Sequence, residues 1–268
     1  MSPRLLIAAV LVAWAAGACG GASSSAPHTF GEPSSGASSE PSSGASEPAG
    51  SEGPADGFDF SKAAEALNQL DSYAFSVEVT ARNTQPGPAA VKEGTTLVSG
   101  SLINAPAKAS TLHLVTSDKD GVVTDETEII SLETAAYLRS GGANGSWQAI
   151  PAAQAATFTQ LLDSFRPEQM FALYFVPIGT DNTTVGDENR NGVETTHYRG
   201  GEDVGAILGS IAGVQGSWTS DLWIARDGGF LVASEAGVQA SDANGGGSFS
   251  IVVNITEVNS AGPVEAPI

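Results

Sequence analysis

From Tyr73 the chain alternates apolar and polar positions residue by residue: Tyr73, Phe75, Val77, Val79 and Ala81 are apolar, and Ser76, Glu78 and Thr80 stand among them. Successive side chains of a strand point to opposite faces, so this spacing predicts a half-buried strand over 73–81. Just before it the period is different. Ala63, Ala64, Leu67 and Leu70 recur at helical spacing, and Asp59 or Ser61 can cap the turn that starts them, which predicts a helix over 60–70. After a turn at 83–88, alternation resumes at 95–103, 110–117, 125–132 and 135–139, the last leading to Trp147. Asp118-Lys119-Asp120-Gly121 and Ser140-Gly141-Gly142-Ala143-Asn144-Gly145 separate these runs as hairpin loops, so an antiparallel meander is expected.

The middle of the chain turns helical. Ala155, Phe158, Leu161, Leu162 and Phe165 share one face of a helix over 152–165, and Pro167 opens a second, strongly apolar helix over 168–175. Strands return at 184–188 and 193–199 around Asn191-Gly192, a strong hairpin signal. A short helix at 203–212 and strands at 217–225, 230–237 and 248–258 complete the pattern, with Phe249, Ile251, Val253 and Ile255 alternating along the last. Many antiparallel strands with a few helices beside them make an α+β domain.

Ahead of this domain the patterning disappears. Residues 20–57 are almost wholly Gly, Ser, Ala, Pro and Glu, with a near-repeat at Glu32-Pro33-Ser34-Ser35-Gly36-Ala37-Ser38 and again at Glu40-Pro41-Ser42-Ser43-Gly44-Ala45-Ser46. Such a segment has too little apolar surface to offset the entropy of ordering it, and as a flexible coil it spans about 35 Å. The first residues, Arg4 and then the apolar run from Leu5 to Trp14, have the layout of a secretory signal peptide and fall short of a membrane-spanning helix. Ala16-Gly17-Ala18-Cys19 resembles the lipobox of bacterial lipoproteins, with Ala16 at the position usually held by Leu. That resemblance implies acylation of Cys19, which also accounts for a lone cysteine in an oxidising compartment. The expected organisation is a signal peptide at 1–18, a lipidated Cys19 with its tether at 19–57, and one domain at 58–268.

Charge narrows the partners. The chain has 30 acidic and 11 basic residues; five of the acidic ones (Glu32, Glu40, Glu47, Glu52, Asp56) and one of the basic ones (Arg4) precede the domain. The domain is therefore strongly acidic, which disfavours nucleic acid and anionic headgroups and leaves the lipid as the means of attachment. The expected location is the extracytoplasmic side of the cell membrane.

Material for catalysis or metal binding is scarce. His28 lies in the tether, His113 alternates with Leu112 and Leu114 and is expected to face solvent, and His197 lies within a strand. No histidine pair has ligand spacing, no serine elbow occurs, and Asp118-Lys119-Asp120-Gly121 lacks the glutamate that completes a calcium loop. Neither an enzyme activity nor a cofactor or metal is expected. A hydrolase would require His197 within reach of both a serine or water site and a carboxylate.

Four stretches carry a family resemblance: Leu67-Asn68-Gln69-Leu70-Asp71-Ser72-Tyr73-Ala74-Phe75; Ala136-Tyr137-Leu138-Arg139 with Trp147; the hairpin from Gly186 to Tyr198; and Asp221-Leu222-Trp223-Ile224-Ala225-Arg226-Asp227-Gly228-Gly229. They resemble the LolA/LolB-like and LppX/LprG-like lipoproteins of bacterial envelopes. The resemblance implies an unclosed antiparallel half-barrel with helices packed on its concave face, around an apolar cavity that holds a lipid, glycolipid or lipoprotein. The candidate lining is Phe75, Val77 and Val79 from the first strand, Leu112 and Leu114 from the third, and Phe249, Ile251 and Val253 from the last. Phe158, Leu162, Met170 and Phe171 come from the helices. The same residues would equally fill a dry core, and a third outcome is an interaction or sensor module that meets an envelope protein through exposed aromatics such as Trp218 and Trp223.

Overall fold

A computed structural model describes residues 60–82, 93–151, 154, 158, 166–169, 182–200, 216–239 and 246–267. The signal peptide, Cys19 and the tether lie outside these residues, as do the helix expected at 203–212 and most of those expected at 152–165 and 168–175. Asp56–Ile268 form one unit of the chain.

The described elements are a helix, α1 (Phe60–Leu67), and eleven strands: β1 (Ser72–Arg82), β2 (Gly94–Ile103), β3 (Ala109–Ser117), β4 (Val123–Leu132), β5 (Ala136–Ser140), β6 (Gln148–Ala149), β7 (Asn182–Arg190), β8 (Val193–Gly200), β9 (Ser217–Ala225), β10 (Leu231–Gln239) and β11 (Ser248–Thr256). All join one open antiparallel sheet in the order β6-β5-β4-β3-β2-β1-β11-β10-β9-β8-β7. Two meanders therefore meet along β1 and β11. Helix α1 ends at Leu67, short of the expected Leu70. The N–H groups of Asn68, Gln69 and Leu70 each bond the carbonyl three residues back, a tightened last turn that brings the chain into β1.

Each expected strand is present, and β1 and β11 at the centre of the sheet alternate over a buried face. On β1, residues 73, 75, 77, 79 and 81 are buried while 74, 76, 78, 80 and 82 are less so. β11 repeats the pattern with Phe249, Ile251, Val253 and Ile255. Register puts these sets on one face: Phe75 opposes Ile255, Val77 opposes Val253 and Val79 opposes Ile251. Ala63 and Leu67 of α1, both 0% exposed, enter the same core. Gly100 of β2 lies between Phe75 and Leu112 in this arrangement. A Cβ there would fall 2.0 Å from the Thr111 carbonyl oxygen, so only glycine lets β2 and β3 approach.

The turns have the chemistry their sequences announce. Asn191 (φ 53°) and Gly192 (φ 83°) form the left-handed pair of a tight hairpin turn between β7 and β8. Between β3 and β4, the Asp118 carboxylate accepts the N–H groups of Asp120 and Val122, both at 2.9 Å. That carboxylate oxygen holds its own loop in a hairpin turn. Among the described residues no cluster of His, Cys, Asp or Glu could hold a metal ion, and no helix is long and apolar enough to cross a membrane.

Candidate functional site: the apolar face of the sheet

Reading the register sideways gives a row that crosses the sheet on one face: Tyr198, Leu222, Ser234, Val253, Val77, Val98, Leu114 and Thr127. A parallel row contains Ile255, Phe75, Gly100, Leu112, Ile129 and Leu138. Of the residues singled out from sequence, Phe75, Val77, Val79, Leu112, Leu114, Phe249, Ile251 and Val253 all fall on this face. All are buried except Leu114, which is half-buried and packs against the others. Phe158 is partly buried and packs on the same core. Leu162, Met170 and Phe171 lie outside the described residues. Burial weakens toward one edge of the face, where Leu138 of β5 is only half covered.

A buried polar network stands at the end of the sheet where β1 begins. The Tyr73 hydroxyl donates to Glu168 Oε2 at 2.8 Å, with both side chains almost wholly buried. Arg166 Nη1 donates to Glu168 Oε1 at 3.0 Å, and the same guanidinium reaches Asn68 at 3.5 Å and Asn104 at 3.4 Å. The segment Pro167–Gln169 is thereby tied to β1, to the end of α1 and to the β2–β3 loop. Burial, then the adjacent Glu168 charge and its hydrogen bond, push the Tyr73 hydroxyl well above its ordinary value, with Arg166 opposing. Sequence reading missed this network, since its two key members stand 95 residues apart.

The opposite face is polar and laced with ion pairs. His113 faces this side, as its alternation with two leucines predicts, and pairs with Glu126 at 2.9 Å. Arg139 pairs with Glu128. Near β7–β9 the side chains interlock more closely. His197 stacks on Trp223 with ring centroids 4.6 Å apart, and Arg190 lies over the indole at 4.3 Å while pairing with Glu235. The β7–β8 turn folds across β9, where the Asn191 amide donates to the carbonyls of Ile255 at 3.1 Å and Val232 at 3.4 Å. This overlay buries β9 and β10 on both faces, so that Leu222 to Ala225 and Phe230 to Ser234 are buried in unbroken succession.

Two alternatives raised by the sequence bear on these side chains. Trp223 is 6% exposed beneath Arg190, and Trp218 packs against Phe249 on the apolar face with centroids 6.0 Å apart. Neither is an exposed aromatic anchor. His197 Nδ1 lies 3.1 Å from Glu188 and its Nε2 2.8 Å from Asp221, so both ring nitrogens are engaged by carboxylates. No nitrogen is left to activate a serine or a water.

Fold and site together define an open antiparallel sheet with one apolar and one charged face. No family model matches the sequence, and no curated protein matches it. Among solved structures, it is similar to the lipoprotein LppX of Mycobacterium tuberculosis, at 15% identity and a TM-score of 0.41 over 76% of this chain and 94% of that one. It is also similar to LprF from Mycobacterium bovis, at 14% identity and a TM-score of 0.43 over 78% and 94% of the two chains. A third similar structure is a DUF1329 family protein from Desulfovibrio piger, at 10% identity and a TM-score of 0.26 over 77% and 92%. These include the kind of lipoprotein that the sequence resembles.

Proposed function

We propose that this chain is an exported lipoprotein, held to the outer side of a cell membrane by acyl chains on Cys19, and that its domain shelters an apolar ligand such as a lipid or glycolipid. The observation that carries the reading is the continuous apolar face of the sheet, whose burial thins toward Leu138 instead of closing evenly around a centre. In this reading Phe158 and Pro167–Gln169, which pack on that face, flank the ligand where it lies against the sheet. The Tyr73–Glu168–Arg166 network is the anchor at one end. The tether at 20–57 then keeps the domain clear of the headgroups that its acidic surface would avoid.

Native mass spectrometry of the purified full chain tests the ligand. Copurified lipid, or a mass shift on adding phospholipid or glycolipid, is the expected result; a bare mass that ignores both would overturn it. Cys19→Ala tests the anchor separately. The variant is expected in the soluble fraction or as an unprocessed precursor, and membrane retention equal to the parent would overturn the lipidation. An interaction module that uses Trp218 and Trp223 as exposed anchors has less support, because Trp223 is buried and Trp218 is partly buried against Phe249.

A further inference from the structure

The apolar face is not uniformly apolar. Trp218 Nε1, Ser220 Oγ and Ser234 Oγ are buried there with no hydrogen-bond partner among the described residues, as is Thr127 Oγ1 at the far end of the row beyond Leu114. Ser220 is 1% exposed and Ser234 0%. Register makes the three a cluster. Trp218 opposes Val238, Ser220 opposes Ala236 and Leu222 opposes Ser234, so the side chains follow one another on β9 and diagonally across to β10. All point to the face that carries Val253 and Ile251, since Ser234 opposes the first and Ala236 the second. Adjacent side chains there, Leu222, Ala236 and Val238, are apolar and buried, and offer no acceptor.

Burying a polar group without a partner costs free energy, and three side by side, where Thr127 stands alone, mark a place where a partner belongs. The indole N–H can only donate, and each serine hydroxyl can donate while its oxygen keeps lone pairs. Three donors side by side suit oxygen atoms that accept: an ester or amide carbonyl, or the oxygens of a glycerol or sugar hydroxyl. A hydrocarbon offers nothing to them. The row from Ser234 onward, through Val253, Val77, Val98 and Leu114, is apolar over about 19 Å at the usual strand spacing, which suits an acyl chain.

We propose that Trp218, Ser220 and Ser234 form a polar subsite within the apolar face that receives the acceptor oxygens of an acyl lipid, with the acyl chain running from it along the row toward Leu114. This rests on the lipid-binding reading above and specifies its ligand class: acylated amphiphiles in preference to hydrocarbons.

The test is displacement of the fluorescent apolar probe 1-N-phenylnaphthylamine from the full chain by dioleoylglycerol and by a hydrocarbon of equal carbon number. Dioleoylglycerol is expected to displace the probe at about tenfold lower concentration, because a site built to hydrogen-bond discriminates against an analogue that cannot. Ser220→Ala with Ser234→Ala, and separately Trp218→Phe, are expected to erase that preference, so that dioleoylglycerol and the hydrocarbon displace the probe at the same concentration. The melting temperature of the ligand-free serine variant is expected to hold or rise, since it loses two unpaired hydroxyls. Equal displacement by both compounds in the parent, or a preference that survives both variants, would overturn the subsite while leaving the lipid-binding reading intact. A melting temperature lowered by several degrees would show the hydroxyls to be paired within the protein, and would also overturn it. Failure of the probe and of both compounds to bind would overturn the lipid-binding reading itself, and the subsite with it.

Discussion

Replacing Tyr73 with Phe isolates one atom of the buried network that ties Pro167–Gln169 to the sheet. The ring is retained, so no cavity forms, and the only loss is a hydroxyl that donates to Glu168 Oε2 at 2.8 Å. Glu168 is 4% exposed, so water cannot take the place of the missing donor. One carboxylate oxygen keeps Arg166, and the other loses the phenol. A hydrogen bond to a charged group contributes about 1.5–3 kcal/mol, so the variant should lose about 2 kcal/mol of stability. For a domain of this size that lowers the melting temperature by about 4–8 °C. Urea unfolding of the full chain is the assay, with an unchanged dependence on denaturant showing that only stability has moved. Glu168→Gln serves as the control: its amide oxygen can still accept from Tyr73, and Tyr73→Phe made in that background should cost less than in the parent. A Tyr73→Phe variant within about 0.5 kcal/mol of the parent would refute the reasoning, since that is the scatter of ordinary neutral substitutions.

The same hydroxyl predicts behaviour in alkali. Burial moves the ionisation of Tyr73 to higher pH, and burial followed by the Asp187 charge does the same for Tyr198, both above the ordinary 10.0. Above about pH 10 the unfolded chain releases these protons while the folded one keeps them, so stability is held below that pH and falls above it. Tyr73→Phe should flatten this fall; an identical alkaline slope in parent and variant would count against it. Gly100→Ala should cost about 3 kcal/mol, because a Cβ meets the Thr111 carbonyl oxygen at 2.0 Å, and a parent-like urea midpoint would show that the strands part easily. Asn191→Gly removes the amide that reaches Ile255 and Val232 but keeps the left-handed turn, whereas Asn191→Ala loses both. The Ala variant should be the less stable by about 1 kcal/mol, and equal midpoints would rule out a backbone contribution at that turn.

Strands were legible in the sequence wherever one face is buried and the other wet. β1 and β11 alternate cleanly for that reason, and Asn191-Gly192 marks its turn because few other pairs accept two positive φ angles. What local pattern cannot carry is who pairs with whom. Nothing near Phe75 announces Ile255 as its partner, and nothing near Tyr73 announces Glu168. Trp223 is the aromatic an interaction module would need exposed, and nothing in its neighbours in sequence says that it is covered. Its burial comes from Arg190 and the β7–β8 turn, which fold over it from elsewhere in the chain. The serines of the apolar face were hidden differently. Ser220 stands two residues from Leu222 and so shares its face, a signal present in the sequence but outweighed by the polarity of Ser217, Thr219 and Asp221 around it.

The meeting of two meanders along β1 and β11 also sets a timetable. Asp71 and Asn259, which close that seam at one end, are 188 residues apart in sequence. Each meander can form from neighbouring hairpins, but the apolar row through Val77 and Val253 exists only after the last strand has docked. Closing so long a loop is slow, and contacts of this separation are among the last to form. Were the chain exported N-terminus first, as proposed, completion of its core would follow passage. A chain halted midway would then have no finished core to jam the channel, and β11 would be the strand that locks the sheet.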